Sequence, residues 1–192
     1  MSPPANGAGW NNTDVRVSFT CTDATSGISR CPDPITLSTE GAGQAVSGTA
    51  VDVAGNQASV SVTVNIDKTR PAVSAVVSPP ANAAGWNNTD VRVSFTCGDA
   101  TSKVARCPDP VTVTSEGAGQ VVNGTAVDVA GNQSTASVTL NIDKTSPVVD
   151  VAVSPPANGA GWNSTSVILT WNCTDSVSGP FEKLFPSARK RW

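Results

Sequence analysis

The letters GWNNTDVRVSFTC occupy Gly9–Cys21 and recur unchanged at Gly85–Cys97, and a looser copy, GWNSTSVILTWNC, fills Gly161–Cys173. Trp10, Trp86 and Trp162 mark the period, 86 − 10 = 162 − 86 = 76 residues. A fixed period of this size divides 192 residues into small units that each bury only a modest core. Whatever one copy folds into, the chain must build again beside it.

The repeated stretch has the pattern of a half-buried strand. Val91, Val93, Phe95 and Cys97 alternate with Arg92, Ser94 and Thr96, which puts the first set on one face and the second on the other. The third copy keeps Val167, Leu169, Trp171 and Cys173 as the inward set, with Ile168 where the outward Arg stood. In the middle copy this strand follows a short apolar run, Ala72–Val77, and a loop beginning Ser78-Pro79-Pro80, whose prolines bar a central strand. Beyond it, Gly98–Arg106 reads as a turn and Val111–Thr114 as strand, with a second turn at Glu116–Gly119. Gln120–Asp128 and Gln133–Ile142 read as a final strand pair around Val129-Ala130-Gly131-Asn132, with Val138, Leu140 and Ile142 inward. Six or seven short strands separated by turn signals predict an all-β fold of tandem immunoglobulin-like β-sandwich repeats of 76-residue period.

The linkers Asn65-Ile66-Asp67-Lys68-Thr69-Arg70-Pro71 and Asn141-Ile142-Asp143-Lys144-Thr145-Ser146-Pro147 separate the copies, each ending in a proline that holds the chain extended. The expected domains are residues 1–68, an immunoglobulin-like repeat 1 lacking its first strand; 69–144, a complete repeat 2; 145–179, a truncated repeat 3; and 180–192, a divergent tail. Lys183 stands where the period asks for a second cysteine, and two strands alone do not make a sandwich. Disorder is therefore expected from residue 174 onward, and the chain reads as a fragment of a longer polypeptide, flanked by further domains.

Cys21 and Cys31 recur as Cys97 and Cys107, and Cys173 is left unpaired. Two pairs at one short spacing predict two local disulfides and an oxidising, extracellular compartment. Zinc is disfavoured, because the chain has no histidine to complete either pair. Closing each loop would contribute about 3 kcal/mol in the chain-entropy model. Charged residues make up 14% of the chain at a net charge of −3, without the clustered cations that nucleic acid requires. No apolar run approaches the ~20 residues that span a bilayer.

Three features resemble a known family: GTAVDVAGNQ at Gly48–Gln57 and again at Gly124–Gln133, NIDKT followed by x-Pro, and the cysteine pair after TD or GD. Together they are similar to the bacterial immunoglobulin-like repeats of secreted and cell-surface proteins, with a kinship of pattern to hyalin-type repeats. The resemblance covers residue 2 to about residue 179. It implies a stalk, spacer or cell-adhesion module, with a cell-surface glycan or protein as a possible partner.

An enzyme is not expected. There is no histidine or tyrosine, no nucleophile elbow and no phosphate-cradling loop. Two binding readings stand beside the structural one. Trp10, Trp86 and Trp162, with Asn87 and Asn88, could stack and hydrogen-bond a carbohydrate, or the rings could cap the core. Asp52 with Asn56, Asp128 with Asn132, and the linker residues Asp67 and Asp143, the latter near Asn163, offer oxygens of the kind calcium takes, or could brace turns. No other cofactor is expected. Repeat 1 without a first strand and repeat 3 with a spare one also suggest strand exchange into an oligomer.

Overall fold

The computed structural model describes residues 1–179; the divergent tail expected at 180–192 lies outside the described residues. Every regular element among them is a strand. In repeat 1 these are β1 (Val15–Val17), β2 (Ile28–Arg30), β3 (Ile35–Leu37), β4 (Gly41–Asp52) and β5 (Gln57–Ile66). In repeat 2 they are β6 (Ala72–Ser78), β7 (Val91–Gly98), β8 (Val104–Arg106), β9 (Val111–Val113), β10 (Gly117–Asp128) and β11 (Gln133–Ile142). Repeat 3 has β12 (Val148–Ser154) and β13 (Ile168–Thr174).

The strands form five small sheets, β1-β3, β2-β4-β5, β6-β7-β9, β8-β10-β11 and β12-β13. The chain divides into two compact units. The first holds Met1–Val76, Ser94–Pro110 and Asn123–Val138; the second holds Val77–Val93, Val111–Val122 and the described residues from Thr139 onward. The first unit thus contains all of repeat 1 and one end of repeat 2, so the compact units do not follow the sequence period.

In the first unit two sheets face each other across one core, the arrangement of a β-sandwich. Val15 and Val17 of β1 meet Val46 of β4 and Val64 and Ile66 of β5, with Phe19, Leu37 and Val62 packed around them. The alternation explains this directly, since Arg16 between the two valines is exposed. Phe19 lies so close to β4 that a Cβ on Gly48 would stand 2.6 Å from its ring, and Phe95 approaches Gly124 in the same way. In the second unit Val91, Val93, Leu140 and Ile142 are buried.

Several details depart from the sequence reading. The presumed turn Gly98–Arg106 contains a strand, β8, because β10 supplies it with a hydrogen-bonding neighbour. The turn expected at Glu116–Gly119 is largely absorbed into β10, which starts at Gly117, with Gly117 and Gly119 at positive φ. Leu169 and Trp171, expected to point inward, are exposed, because among the described residues β13 pairs only with β12 and no second sheet covers that face. Of residues 174–179, expected to lack order, Thr174 ends β13 and the rest form a turn in which the Asp175 carboxylate accepts the backbone N–H of Val177, Ser178 and Gly179.

Candidate functional site

Asp67 is written in the sequence as a linker residue, yet it is fully buried. Its Oδ2 accepts the backbone N–H of Ser102 at 3.0 Å, in the turn before β8 of repeat 2, and its Oδ1 accepts that of Thr69 at 3.1 Å. Asn132, on the hairpin between β10 and β11, donates its amide to the Asp67 carbonyl at 2.8 Å and to that of Thr69 at 3.1 Å. Asn6, in the proline loop of repeat 1, donates to the carbonyl of Val129 on the same hairpin at 2.8 Å. All of these residues belong to the first compact unit.

Repeat 1 grips the linker as well. Glu40 accepts the Lys68 backbone N–H and the Thr69 hydroxyl, each at 2.8 Å. The Lys68 ammonium lies 2.9 Å from Asp14 and donates to the Ser38 carbonyl at 2.7 Å. A half-exposed ion pair of this kind contributes little alone. Together with hydrogen bonds worth about 1 kcal/mol each it ties Lys68 and Thr69 to repeat 1.

The same contacts begin again one period later. Glu116 accepts from Lys144 and Thr145 at 2.9 Å, and Lys144 lies 2.9 Å from Asp90. Ser178 donates its N–H to Asp143 Oδ2 at 3.0 Å, as Ser102 does to Asp67. The Ser178 side chain, and after it the N–H groups of Thr145 and Ser178, hold the Asp143 carboxyl below the ordinary aspartate range against the opposing effect of desolvation. The Asp143 N–H donates to the Asn87 carbonyl at 2.9 Å and its carboxylate accepts from Ser178, while the amide of Asn163, paired with Asp143 as a calcium candidate in the sequence, donates to the Pro155 carbonyl at 2.7 Å.

The other acidic candidates brace turns. Asp52 accepts the backbone and side-chain N–H groups of Asn56, each at 2.8 Å, and Asp128 accepts the same two groups of Asn132 at the same distances. The Asn56 side chain is the main reason the Asp52 carboxyl sits below its usual range. Gly55 and Gly131 take positive φ in these turns, where a side chain would be strained. Asp99, beside Gly98 and so read as a turn aspartate, caps its own turn by accepting the N–H groups of Thr101 and Lys103. At the corresponding turn of repeat 1 the Gly27, Ser26 and Thr25 N–H groups hold the Asp23 carboxyl below its usual range.

One carboxylate oxygen from each of Asp67, Asp99 and Asp128 lies within 4.8 Å of the others. The donor type suits a hard cation, but each carboxylate already accepts hydrogen bonds that fix it in the joint. The arrangement is a polar joint between two consecutive repeats, sealed by backbone donors.

Each aromatic candidate follows its own proline loop. Asn6, Asn82 and Asn158 each fold the proline loop by accepting the backbone N–H of the following tryptophan at 3.0 Å. Trp10 and Trp86 are half-buried, while Trp162, whose repeat has two strands among the described residues, is 75% exposed. Asn87 offers little to a ligand: it is buried and donates its amide to the Pro79 carbonyl at 3.1 Å. Asn88 beside it is exposed. The sulfurs of Cys21 and Cys31, and of Cys97 and Cys107, are at bonding distance, 2.07 and 1.96 Å, and Cys173 is free.

No family model matches the chain, and no curated protein matches it. Among solved structures it is similar to the fibronectin(III)-like modules of Clostridium thermocellum CbhA, at 15% identity over 73% of this chain and 91% of that one, with a TM-score of 0.37.

Proposed function

We propose that the chain is a non-catalytic, extracellular segment of tandem immunoglobulin-like repeats that acts as a spacer or adhesion stalk within a larger secreted or surface protein. The observation that carries this reading is the burial of Asp67, with its carboxylate fixed to the Ser102 N–H and its carbonyl to Asn132. A linker meant only to connect would leave such a residue in water, because burying a charge costs free energy unless donors replace the solvent. Here the donors come from the next repeat, so the joint transmits orientation from one repeat to its neighbour. Two local disulfides support an oxidising, extracellular setting.

The reading requires a stiff joint in solution. Small-angle X-ray scattering of the full chain and of its Asp67→Ala variant tests it, with the interatomic distance distribution expected to be well defined in the first and broadened in the second. A wild-type distribution already as broad as that of the variant sinks the proposal.

A further inference from the structure

The proline loops of the three repeats fold alike around an asparagine. Asn6 accepts the backbone N–H of Ala8 and of Trp10 on its side-chain oxygen, each at 3.0 Å. Asn82 accepts those of Ala84 and Trp86 at 2.9 and 3.0 Å, and Asn158 those of Ala160 and Trp162 at 3.0 Å. The backbone of each asparagine closes the same loop, its N–H donating to the tryptophan carbonyl at 2.8 Å and its carbonyl accepting from the glycine before that tryptophan at 2.9 Å. The next residue differs, being Gly7 in the first copy, Ala83 in the second and Gly159 in the third. Nothing in the fold asks for glycine there. A Cβ on Gly7 or Gly159 would meet open space, neither holds a positive φ, and Ala83 sits in the same turn.

What the glycine changes is chemistry. We propose that Asn6-Gly7 and Asn158-Gly159 are sites of spontaneous deamidation promoted by the loop, with water as the co-reactant. The nitrogen of Gly7, whose N–H no acceptor takes up among the described residues, attacks Cγ of Asn6 and closes a succinimide ring. The N–Cγ bond forms, the Cγ–Nδ2 bond breaks, and ammonia leaves with the proton that Gly7 gave up. Water then opens the ring, at Cγ to give aspartate or at the backbone carbonyl to give isoaspartate, whose main chain runs through the former side chain. Negative charge building on Oδ1 during the attack falls between two N–H donors already in place, the arrangement that stabilises an oxyanion. Glycine lets the attacking backbone come close, whereas the Cβ of Ala83 crowds the same approach to Asn82. All three asparagines are exposed, so water reaches the ring. At Asn6 the change also reaches the joint, because either product lacks the amide that donates to the Val129 carbonyl at 2.8 Å.

Asn123-Gly124 supplies an internal control. It has the same two letters, but it lies within β10, with Gly124 buried under the Phe95 ring. The full chain is held folded at mildly alkaline pH, digested, and read by mass spectrometry with fragmentation that separates aspartate from isoaspartate. Both products are expected at Asn6 and Asn158 ahead of Asn82 and Asn123. Gly7→Ala should lower the rate at Asn6 to that at Asn82, and Ala83→Gly should raise the rate at Asn82 to that at Asn6, with circular dichroism unchanged in both variants. The rate at Asn6 should fall in denaturant, because the two donors to Oδ1 exist only in the fold. Equal rates at the four asparagines, or no response to either substitution, overturns the proposal. So does a reaction at Asn6 that runs faster in denaturant, which would assign the reactivity to the dipeptide without its loop.

Discussion

The two identical segments Val15–Cys21 and Val91–Cys97 end as different amounts of strand. In repeat 1 Val15–Val17 is strand; in repeat 2 the strand runs from Val91 to Gly98. The valines are buried in both. What differs among the described residues is the neighbour on the side away from β3 and β9, where β6 lies beside the second copy and Ser2 makes a single bridge to the first. Burial of the inward face is therefore set by the sequence alternation and the sheet opposite, while strand length is set by whether a partner edge is present.

Loss of a disulfide should separate the copies most. Replacing Cys97 and Cys107 by serine should remove about 3 kcal/mol by the loop-closure model, read as a fall in the denaturant midpoint. The same change at Cys21 and Cys31 should in addition leave Thr20–Thr22 unprotected in amide hydrogen exchange, since no ladder holds that segment. Equal protection after both changes would mean that the neighbouring strand does not set how far the ladder extends. Next comes the glycine under each phenylalanine. Gly124→Ala drives a methyl into Phe95 and should cost about 2 kcal/mol in the range of overpacked cores, whereas Phe19, beyond the end of β1, can yield, so Gly48→Ala should cost less.

A smaller effect lies at the one backbone position where the two repeats differ in strain. Lys103 holds φ at 80° and Gly27 holds it at 81°. Lys103→Gly should stabilise repeat 2 and Gly27→Lys destabilise repeat 1, each by about 1 kcal/mol in thermal unfolding, because a side chain in that region crowds its own carbonyl. Smaller still is the acid response. The Asp23, Asp52 and Asp143 carboxyls are held below their ordinary range, so their contribution is complete above the unfolded value of about 3.9 and is lost as pH falls through the lower folded values. Carboxyl NMR titration should show all three midpoints below that of an unstructured aspartate. Excess chelator should leave the melting temperature unchanged, because the Asp67, Asp99 and Asp128 oxygens are already hydrogen-bonded; a drop would assign them a cation.

Much of the local structure was legible in the letters. The alternation through Val91 and Val93, the cysteine pairs, and the Asp128 to Asn132 turn with its glycine all depend on residues close in sequence. What stayed hidden depends on groups brought from another repeat. Asp67 looks like any polar linker residue until the Ser102 N–H and Asn132 appear beside it, 35 and 65 positions away. Ser102 carries no signal of its own, and Asp99 reads as a turn aspartate because it is one. The exposure of Leu169 and Trp171 was missed for the opposite reason: an alternating pattern shows which face should be covered but not whether anything covers it.

The joint at Asp67 has a consequence for how such chains change over generations. Repeat 2 carries Ser102 and Asn132, which receive the linker before it, and also Asp143, which enters the linker after it. A gene duplication of one whole period therefore carries its own donors and acceptor with it, while a recombination event out of phase leaves a buried carboxylate without its donors. Selection on length can act freely in steps of one repeat, and the mutational path between those steps is closed by chemistry.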